Sequence, residues 1–135
     1  KLRALADEKG VSDVLLFIGR TSEPHLHLAA SDLFLLTSRW EALPFTIVEA
    51  FRAGIPAIAT ACSGVVELID DKVGRVVPIG DVAAICAAVE DVISDEPKRR
   101  AMADAALLKA KEDRFDPEWV HPQFEKLYLS LKQKS

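Results

Sequence analysis

Apolar positions along the chain alternate between short continuous runs and stripes with a helical period. Four mostly apolar runs, at residues 14–18, 33–36, 56–59 and 74–77, are typical of strands buried in a parallel sheet. The segments around them predict helices at residues 1–9, 24–30, 45–53, 65–69, 82–93, 97–111 and 117–132. Strands alternating with helices predict an α/β fold, a Rossmann-like parallel sheet covered by helices on both faces.

Glycine, proline and acidic residues mark the ends of several predicted helices. Gly54 suits the left-handed position after the third helix, and Pro44 suits the first turn of that helix. Asp81 is a predicted N-cap. Pro122 predicts either a kink in the last helix or a later start. The apolar stripes of the last three helices are expected to face the core.

Composition limits the classes of protein to which the chain can belong. With 135 residues, 50% of them hydrophobic, it can bury the core of one domain but not of two. A formal net charge of −4 gives no electrostatic basis for nucleic-acid binding. No apolar run approaches the roughly 18 residues of a membrane span. Cys62 and Cys86, the latter on an apolar helix face, lack metal-ligand spacing. They are predicted to be reduced thiols of a cytoplasmic protein.

Two acids frame the start of the third predicted helix. Glu41 lies in the turn before it, and Glu49 lies inside it among apolar neighbours. A carboxylate in such surroundings is costly unless a polar group meets it, and the free N–H groups of a helix start attract anions. The loops after the first three strands, at residues 19–21, 37–45 and 60–64, would meet at the carboxyl edge of the sheet. This arrangement predicts a ligand that carries both hydroxyl and phosphate groups.

The two acids belong to a longer pattern that resembles a known family. The segment Trp40-Glu41-Ala-Leu-Pro-Phe-Thr-Ile-Val-Glu49-Ala is similar to the Glu-x7-Glu signature of retaining glycosyltransferases of GT-B fold, and most similar to glycosyltransferase family 4, also called group 1. Further elements that resemble the family occur in the same order: Phe17-Ile-Gly19, Ala53-Gly54-Ile-Pro56, Ser63-Gly64-Val-Val-Glu67 and Gly74-Arg-Val-Val-Pro-Ile-Gly-Asp81. The resemblance covers nearly all of residues 14–131 and depends on the ordered set.

The resemblance implies a role for each candidate residue. Glu41 would contact the hydroxyls of the donor sugar near its anomeric centre, and Glu49 would accept hydrogen bonds from the ribose hydroxyls. Gly19 and Arg20 would lie beside the nucleobase. The remaining residues that the resemblance assigns to the donor site are Ala42, Leu43, Pro44, Phe45, Thr46, Ser63 and Gly64.

The implied reaction is retaining transfer of a hexosyl unit from a nucleotide-diphosphate sugar to an acceptor. An ionised carboxylate accepts hydrogen bonds from a vicinal diol and can stabilise an oxocarbenium-like transition state. The departing diphosphate requires positive potential, to which a helix start contributes. No cofactor and no obligatory metal ion are expected; no Asp-x-Asp occurs in the chain.

The chain resembles most of a donor-binding half. Residues 1–135 are expected to form one partial domain, the nucleotide-sugar-binding C-terminal half, with the helices at 97–132 as a C-terminal extension. An N-terminal acceptor-binding domain and the basic residues that clamp the diphosphate in the family have no counterpart here. In the family the last helix packs onto that other domain, so part of its apolar face is expected to be uncovered in this chain. The absence of an initiator Met suggests a fragment. The isolated chain is therefore predicted to be inactive, and the whole protein would be compatible with peripheral membrane association.

Other interpretations of the same residues remain open. Glu49 could be a surface acid that pairs with Arg52 or Arg39, and Glu41 could be a solvated loop acid. Trp40 is expected to pack and to shape the loop. The protein could also be a GT-B-fold nucleotide-sugar epimerase or a non-catalytic binding module.

A His-x-His pair lies in the short helix predicted at residues 24–30. Residues two positions apart on a helix point to different sides. His25 and His27 are therefore not expected to bind one metal ion.

Overall fold

Three parallel strands form the sheet in the part of the chain that the structure describes. The structure is a computed structural model that describes residues 1–132, so the end of the predicted domain, residues 133–135, lies outside the described residues. The strands pair in the order β1 (Phe34–Leu36), β2 (Ala57–Thr60) and β3 (Gly74–Val77). The helices are α1 (Leu2–Glu8), α2 (Pro24–Ala29), α3 (Phe45–Arg52), α4 (Val82–Ile93), α5 (Glu96–Lys109) and α6 (Pro117–Lys132), with a 3-10 helix (Asp113–Phe115) before α6.

The register of the sheet determines where its loops emerge. Leu36 of β1 pairs with Ala59 of β2, and Thr60 of β2 pairs with Val77 of β3. Because all three strands are parallel, the loops that follow Leu36, Thr60 and Val77 leave the sheet at the same carboxyl edge.

Strand β2 is covered on both faces. Ala57 and Ala59 belong to a buried cluster with residues of α3, whereas Ile58 packs with Val92 of α4 and Met102 of α5. Successive side chains of a strand point to opposite faces, so α3 and α4 lie on opposite sides of the sheet. The predicted α/β fold, a Rossmann-like parallel sheet covered by helices on both faces, is confirmed.

The predicted helix ends agree with the structure in most cases. Asp81 caps α4, where its Oδ1 accepts a hydrogen bond from the Ala84 N–H at 2.9 Å. Gly54 follows α3 with φ of +72°, a conformation that glycine adopts without strain. Pro44 is predicted in the first turn of α3, but in the structure it is the N-cap, one residue before the helix begins. Pro122 lies inside α6 and does not end it.

The strand predicted at residues 14–18 is wrong. This segment pairs with no strand in the described chain, and Val14 and Leu16 are 76% and 86% exposed. Phe17 instead lies near α1, where the guanidinium carbon of Arg3 is 5.4 Å from its ring centre. An apolar run indicates residues that can enter a sheet, but a strand also needs a neighbour for its backbone hydrogen bonds.

The helix predicted at residues 65–69 is also wrong. The segment forms consecutive turns, in which the N–H groups of Leu68 and Ile69 both donate to the Val65 carbonyl at 3.0 Å. These three side chains are buried in the core. Because a helix of five residues is costly to nucleate, turns that bury the same side chains replace it.

Helices α4 and α6 present less apolar surface to the core than their stripes predict. No residue of α6 is buried, and Cys86 of α4 is exposed. The large apolar side chains of α6 that are 46–68% exposed include Trp119, Phe124, Leu127, Tyr128 and Leu131. A stripe identifies an apolar face but not the surface that covers it. The core-facing prediction is wrong for Cys86 and for α6, while the exposed stripe of α6 agrees with the expectation that part of its apolar face is uncovered. None of the helices within residues 1–132 is both long and apolar enough to cross a membrane.

Ion pairs hold α5 against its neighbours. Lys98 Nζ lies 2.5 Å from Asp91 Oδ1, and Lys109 Nζ lies 2.5 Å from Asp70 Oδ2. The hydrogen bond from Lys109 is the main cause that lowers the pKa of Asp70 below its ordinary value. The hydrogen bond from Lys98 lowers the pKa of Asp91 in the same way. Both lysines therefore favour the ionised carboxylate.

The substitution Gly74→Ala tests the close packing of β2 and β3. A Cβ on Gly74 would lie 1.8 Å from the Ala57 carbonyl oxygen, a backbone atom that cannot move without disturbing the sheet. We expect a loss of about 3 kcal/mol in the free energy of unfolding, measured with urea. The control is Gly80→Ala, with open space around the new Cβ and a φ of +81°, which should cost only about 1 kcal/mol. Equal losses for the two variants would contradict this packing.

The substitution Asp70→Asn tests the Lys109 ion pair through its pH dependence. Because the pKa of Asp70 is lowered in the folded state, its contribution is present above the unfolded-state pKa of about 3.9 and is lost as the pH falls through the folded-state pKa. At pH 7 the variant should be less stable by up to about 1 kcal/mol, since the Asp70 side chain of the pair is 54% exposed and screened by solvent.

Urea unfolding of wild type and Asp70→Asn between pH 2 and pH 7 measures this difference. It should be largest near neutrality and should vanish at the acid end. The neighbouring variant Asp71→Asn is the control, because the Asp71 side chain is 97% exposed and lies 3.8 Å from Arg75. A difference that persists unchanged to pH 2 would rule out the ion pair as its cause.

Candidate functional site

The loop after β1 is held by a hydrogen bond between two of its own residues and by hydrogen bonds from the end of β2 and the residues after it. Ser38 Oγ donates a hydrogen bond to Glu41 Oε1 at 2.7 Å, and Glu41 is partly buried. The Ser38 carbonyl accepts a hydrogen bond from Thr60 Oγ1 at the end of β2, and another from Cys62 Sγ at 3.3 Å. The position of Glu41 therefore depends on the chain that leaves β2. We call residues 37–43 the Glu41 loop.

Gly64 brings the turn after β2 into direct contact with the Glu41 loop. A Cβ on Gly64 would lie 1.6 Å from the Ala42 carbonyl oxygen and 2.8 Å from Leu43 Cα. Only glycine allows the two backbones to approach so closely. The neighbouring Ser63 is exposed, whereas Gly64 is buried. Ser63, Gly64 and the Glu41 loop thus lie together at the carboxyl edge of the sheet.

The start of α3 completes this edge. Its N-cap is Pro44, and no side chain caps the helix among the described residues. Phe45 and Thr46 are exposed, and the first N–H groups of a helix carry the positive end of its dipole. No acid lies in the first turn. The helix start therefore presents positive potential and hydrogen-bond donors to a ligand.

Glu49 lies in a different environment from the one predicted. It is exposed, whereas Ile47, Val48, Ala50 and Phe51 are buried. Successive residues on a helix are about 100° apart, so sequence neighbours need not be neighbours in space. The expectation of a carboxylate desolvated by its apolar neighbours is wrong.

Glu49 lines a hollow between α2 and α3. This α2–α3 hollow has a volume of about 380 Å³ and is lined by Pro24, His25, Leu28, Glu49, Arg52 and Ala53. Arg52 Nη2 donates to the Phe115 carbonyl at 2.9 Å. Within residues 1–132 no ion pair joins Glu49 to Arg52 or Arg39, so that predicted pairing is wrong.

The structure does not connect Gly19 and Arg20 to the rest of the predicted site. Both are exposed, and the strand expected to deliver them to the carboxyl edge is absent. In the described chain no hydrogen bond joins either residue to the Glu41 loop. Trp40 was expected to pack, but its side chain is 82% exposed, so that expectation is wrong.

Three residues that support the site were not predicted as site residues. Ser38 precedes Glu41 by three positions, a spacing at which a hydroxyl can reach a carboxylate across a turn. Thr60 was assigned to a loop, but it is the last residue of β2 and only 2% exposed. Cys62 is likewise buried. For Thr60 and Cys62 the sequence carries no signal, because their partner is a backbone carbonyl 22 or 24 residues away.

No metal ligands can be assigned from side-chain proximity. In the part of the chain that the structure describes, no group of three or more His, Cys, Asp and Glu residues could hold a metal ion. The polar groups at the carboxyl edge include the Glu41 carboxylate, the Arg39 guanidinium, exposed hydroxyls and the backbone N–H groups at the start of α3. These groups suit a ligand with hydroxyls and phosphates.

Comparison with known proteins gives the family. Residues 1–109, from α1 to the end of α5, match the family described as glycosyl transferases group 1. The chain belongs to this family. The predicted family is therefore confirmed, and α6 lies outside the matched residues.

Similar proteins are longer than this group 1 glycosyltransferase chain. It is 30% identical over 122 residues to N-acetyl-alpha-D-glucosaminyl L-malate synthase of Bacillus anthracis. That match covers 90% of this chain and 32% of the synthase. It is 32% identical over 104 residues to the lipopolysaccharide core biosynthesis glycosyltransferase LpsE of Rhizobium meliloti. That match covers 76% of this chain and 31% of LpsE. The chain thus spans about a third of the length of these curated relatives.

Solved structures agree with the predicted fold. The HepE protein of Anabaena, solved in complex with UDP, is 26% identical with a TM-score of 0.89, and the match covers 96% of this chain and 36% of that chain. Sucrose-phosphate synthase of Thermosynechococcus elongatus is 24% identical with a TM-score of 0.90 over 99% of this chain and 34% of that chain, which shows a shared fold. The domain corresponds to part of the GT-B glycosyltransferase structures.

The substitution Thr60→Val tests the anchor of the Glu41 loop. It removes the hydroxyl that donates to the Ser38 carbonyl and keeps the shape of the side chain. We expect a loss of about 1 kcal/mol in unfolding free energy, with faster amide hydrogen exchange in residues 38–42. Thr46→Val, at an exposed position, is the control and should change stability by less than about 0.5 kcal/mol. Unchanged exchange in the loop would argue against the anchor.

Proposed function

We propose that this chain is the donor-binding domain, the C-terminal half, of a retaining glycosyltransferase that transfers a hexosyl unit from a nucleotide-diphosphate sugar. The observation that carries the proposal is the contact between Gly64 and the Glu41 loop beside the uncapped start of α3. In a member of the group 1 family, this edge offers an anchored carboxylate next to a site for phosphate. Those are the two recognition elements that a nucleotide sugar requires.

The sugar is assigned to Glu41. Its Oε1 already accepts a hydrogen bond from Ser38, so the carboxylate is oriented before a ligand arrives. The remaining acceptor capacity can bind sugar hydroxyls. In the transition state the same negative charge would stabilise positive charge that develops at the anomeric carbon.

The diphosphate is assigned to the start of α3 and the ribose to Glu49. Phe45 and Glu49 are four residues apart and both exposed, so they lie on one face of the helix. Four residues correspond to a rise of about 6 Å along the axis. A nucleoside diphosphate can therefore lie along this face with its phosphates at the helix start and its ribose diol at Glu49.

The isolated chain remains predicted to be inactive as a transferase. The basic residues that the resemblance assigns to the diphosphate do not occur in these 135 residues. Acceptor recognition is likewise assigned to another domain of a longer protein. The proposal for this chain is consequently tested by binding of the donor and its parts.

Titration with nucleotides, followed by the backbone amide signals in nuclear magnetic resonance, tests the proposal. UDP or GDP should shift the amide signals of Ala42, Leu43, Phe45 and Thr46 and of residues 63–64; Pro44 has no N–H. Glu49→Gln should weaken UDP binding about tenfold, because a charged acceptor for the ribose hydroxyls is lost. Glu41→Gln should leave UDP affinity unchanged but should remove any additional affinity for UDP-glucose.

The matched control is Glu90→Gln, an exposed acid on α4 away from the carboxyl edge. It should bind UDP like wild type. If neither UDP nor GDP shifts the amide signals of residues 42, 43, 45 and 46 at millimolar concentration, the donor-site proposal is wrong. It is also wrong if Glu49→Gln and Glu90→Gln bind UDP equally well.

A further inference from the structure

Trp40 is exposed although the chain is held on both sides of it. Its side chain is 82% exposed, whereas tryptophan is highly buried on average. Two residues before it, the Ser38 carbonyl accepts a hydrogen bond from the buried Thr60. Two residues after it, the Ala42 carbonyl lies against Gly64. The Glu41 loop cannot carry the indole into the core without losing these contacts, so the fold leaves this apolar surface in solvent.

The residue before Trp40 adds hydrogen-bond donors to the same part of the loop. Arg39 is exposed, and within residues 1–132 its guanidinium takes part in no ion pair. A pyranose ring carries C–H groups on its faces and hydroxyls around its rim. The indole offers a flat apolar surface for a C–H face, and the guanidinium can donate to hydroxyl oxygens. These two side chains therefore suit a sugar ring.

We propose that Trp40 stacks on a sugar ring of the acceptor. The inference rests on the proposed function, in which Glu41 contacts the donor sugar near its anomeric carbon. In the transfer, an acceptor hydroxyl oxygen replaces the diphosphate oxygen on that carbon and the hydroxyl proton is released, so the acceptor lies beside the donor sugar. The Glu41 side chain is partly buried and bonded to Ser38, whereas the neighbouring indole is in solvent, where a second molecule can reach it.

The anchored loop suits this role. A tryptophan side chain has only two rotatable bonds, so it presents a large contact area at a small cost in conformational entropy. Stacking of one ring changes affinity by about two- to tenfold. Trp40 therefore adds one contact to those that the acceptor makes with another domain of a longer protein, and it favours acceptors that carry a pyranose ring.

Titration with methyl β-D-glucopyranoside and methyl α-D-mannopyranoside, followed by the indole signals in nuclear magnetic resonance, tests the inference. Because one stacked ring binds weakly, the glycosides are taken to about 0.1 M. At least one of them should shift the indole signals of Trp40. It should leave in place those of Trp119, which is 46% exposed on α6, outside the Glu41 loop. Sorbitol, which has hydroxyls but no ring, should shift neither tryptophan.

Two substitutions of Trp40 separate stacking from general apolar contact. Trp40→Leu keeps apolar bulk without a flat ring and should reduce saturation transfer to the glycoside C–H protons about fivefold. Trp40→Phe keeps a flat ring and should retain part of this transfer, and Trp119→Leu, the matched control, should retain all of it. Because Trp40 is largely exposed, Trp40→Leu should unfold in urea like wild type and should keep the wild-type affinity for UDP.

The outcomes distinguish this inference from the donor-site proposal. If UDP shifts the amide signals of residues 42, 43, 45 and 46 but neither glycoside shifts Trp40, the inference is wrong and the donor site stands. The same holds if glycosides shift Trp40 and Trp119 equally. It also holds if Glu41→Gln abolishes the Trp40 shift, because the ring would then occupy the position of the donor sugar. If UDP shifts none of those amide signals, the donor-site proposal fails and the inference fails with it.

Discussion

Burial of strand β2 is the constraint on which the rest of the structure depends. All four residues of β2 are buried, because a strand lies on each edge and a helix packs on each face. Small side chains make this possible: Ala57 and Ala59 face the α3 side, and Gly74 of β3 leaves room for the Ala57 carbonyl. Since a packed interior has almost no free volume, the helix that carries Glu49 has a fixed place relative to the strand.

The same constraint extends from β2 to the Glu41 loop. Thr60, the last residue of β2, is buried and reaches the Ser38 carbonyl, and the chain then turns so that Gly64 meets Ala42. The Glu41 loop is therefore held by the buried side chains of Thr60 and Cys62 and by the backbone contact with Gly64, not by surface side chains. A carboxylate placed in this way needs little reorganisation when charge develops on a bound sugar, which is the condition for electrostatic stabilisation.

Local features of the sequence predicted the elements whose causes are local. The cap at Asp81 and the left-handed Gly54 depend on neighbouring residues only. The apolar segment at residues 14–18 and the exposed Trp40 depend on whether another surface is present to cover them, and residue type does not carry that information. The exposure of Glu49 has a different cause, because the 100° spacing of helical residues separates its side chain from its buried sequence neighbours.

The Gly64 contact shows a different limit of prediction. The pattern around Ser63 and Gly64 indicated a turn near the ligand, but the reason that glycine is required there is the Ala42 carbonyl of another loop. A contact between two backbones leaves no trace in the composition of either segment. The resemblance to a family identified the turn, and the structure supplies its physical cause.

The two acids differ in how much freedom they lose when a ligand binds. Glu41 is partly buried and already bonded to Ser38, whereas Glu49 is exposed. Immobilising a flexible side chain at a binding site costs about 0.5–1.5 kcal/mol. In the proposed roles this cost falls on Glu49, which only binds the ribose. Glu41, which in its proposed role must meet the developing charge in one geometry, is already oriented by its hydrogen bond from Ser38. The difference in mobility between the two acids follows from their places in the fold. The loop that carries Glu41 is anchored to β2, whereas Glu49 lies on the face of α3 directed away from β2.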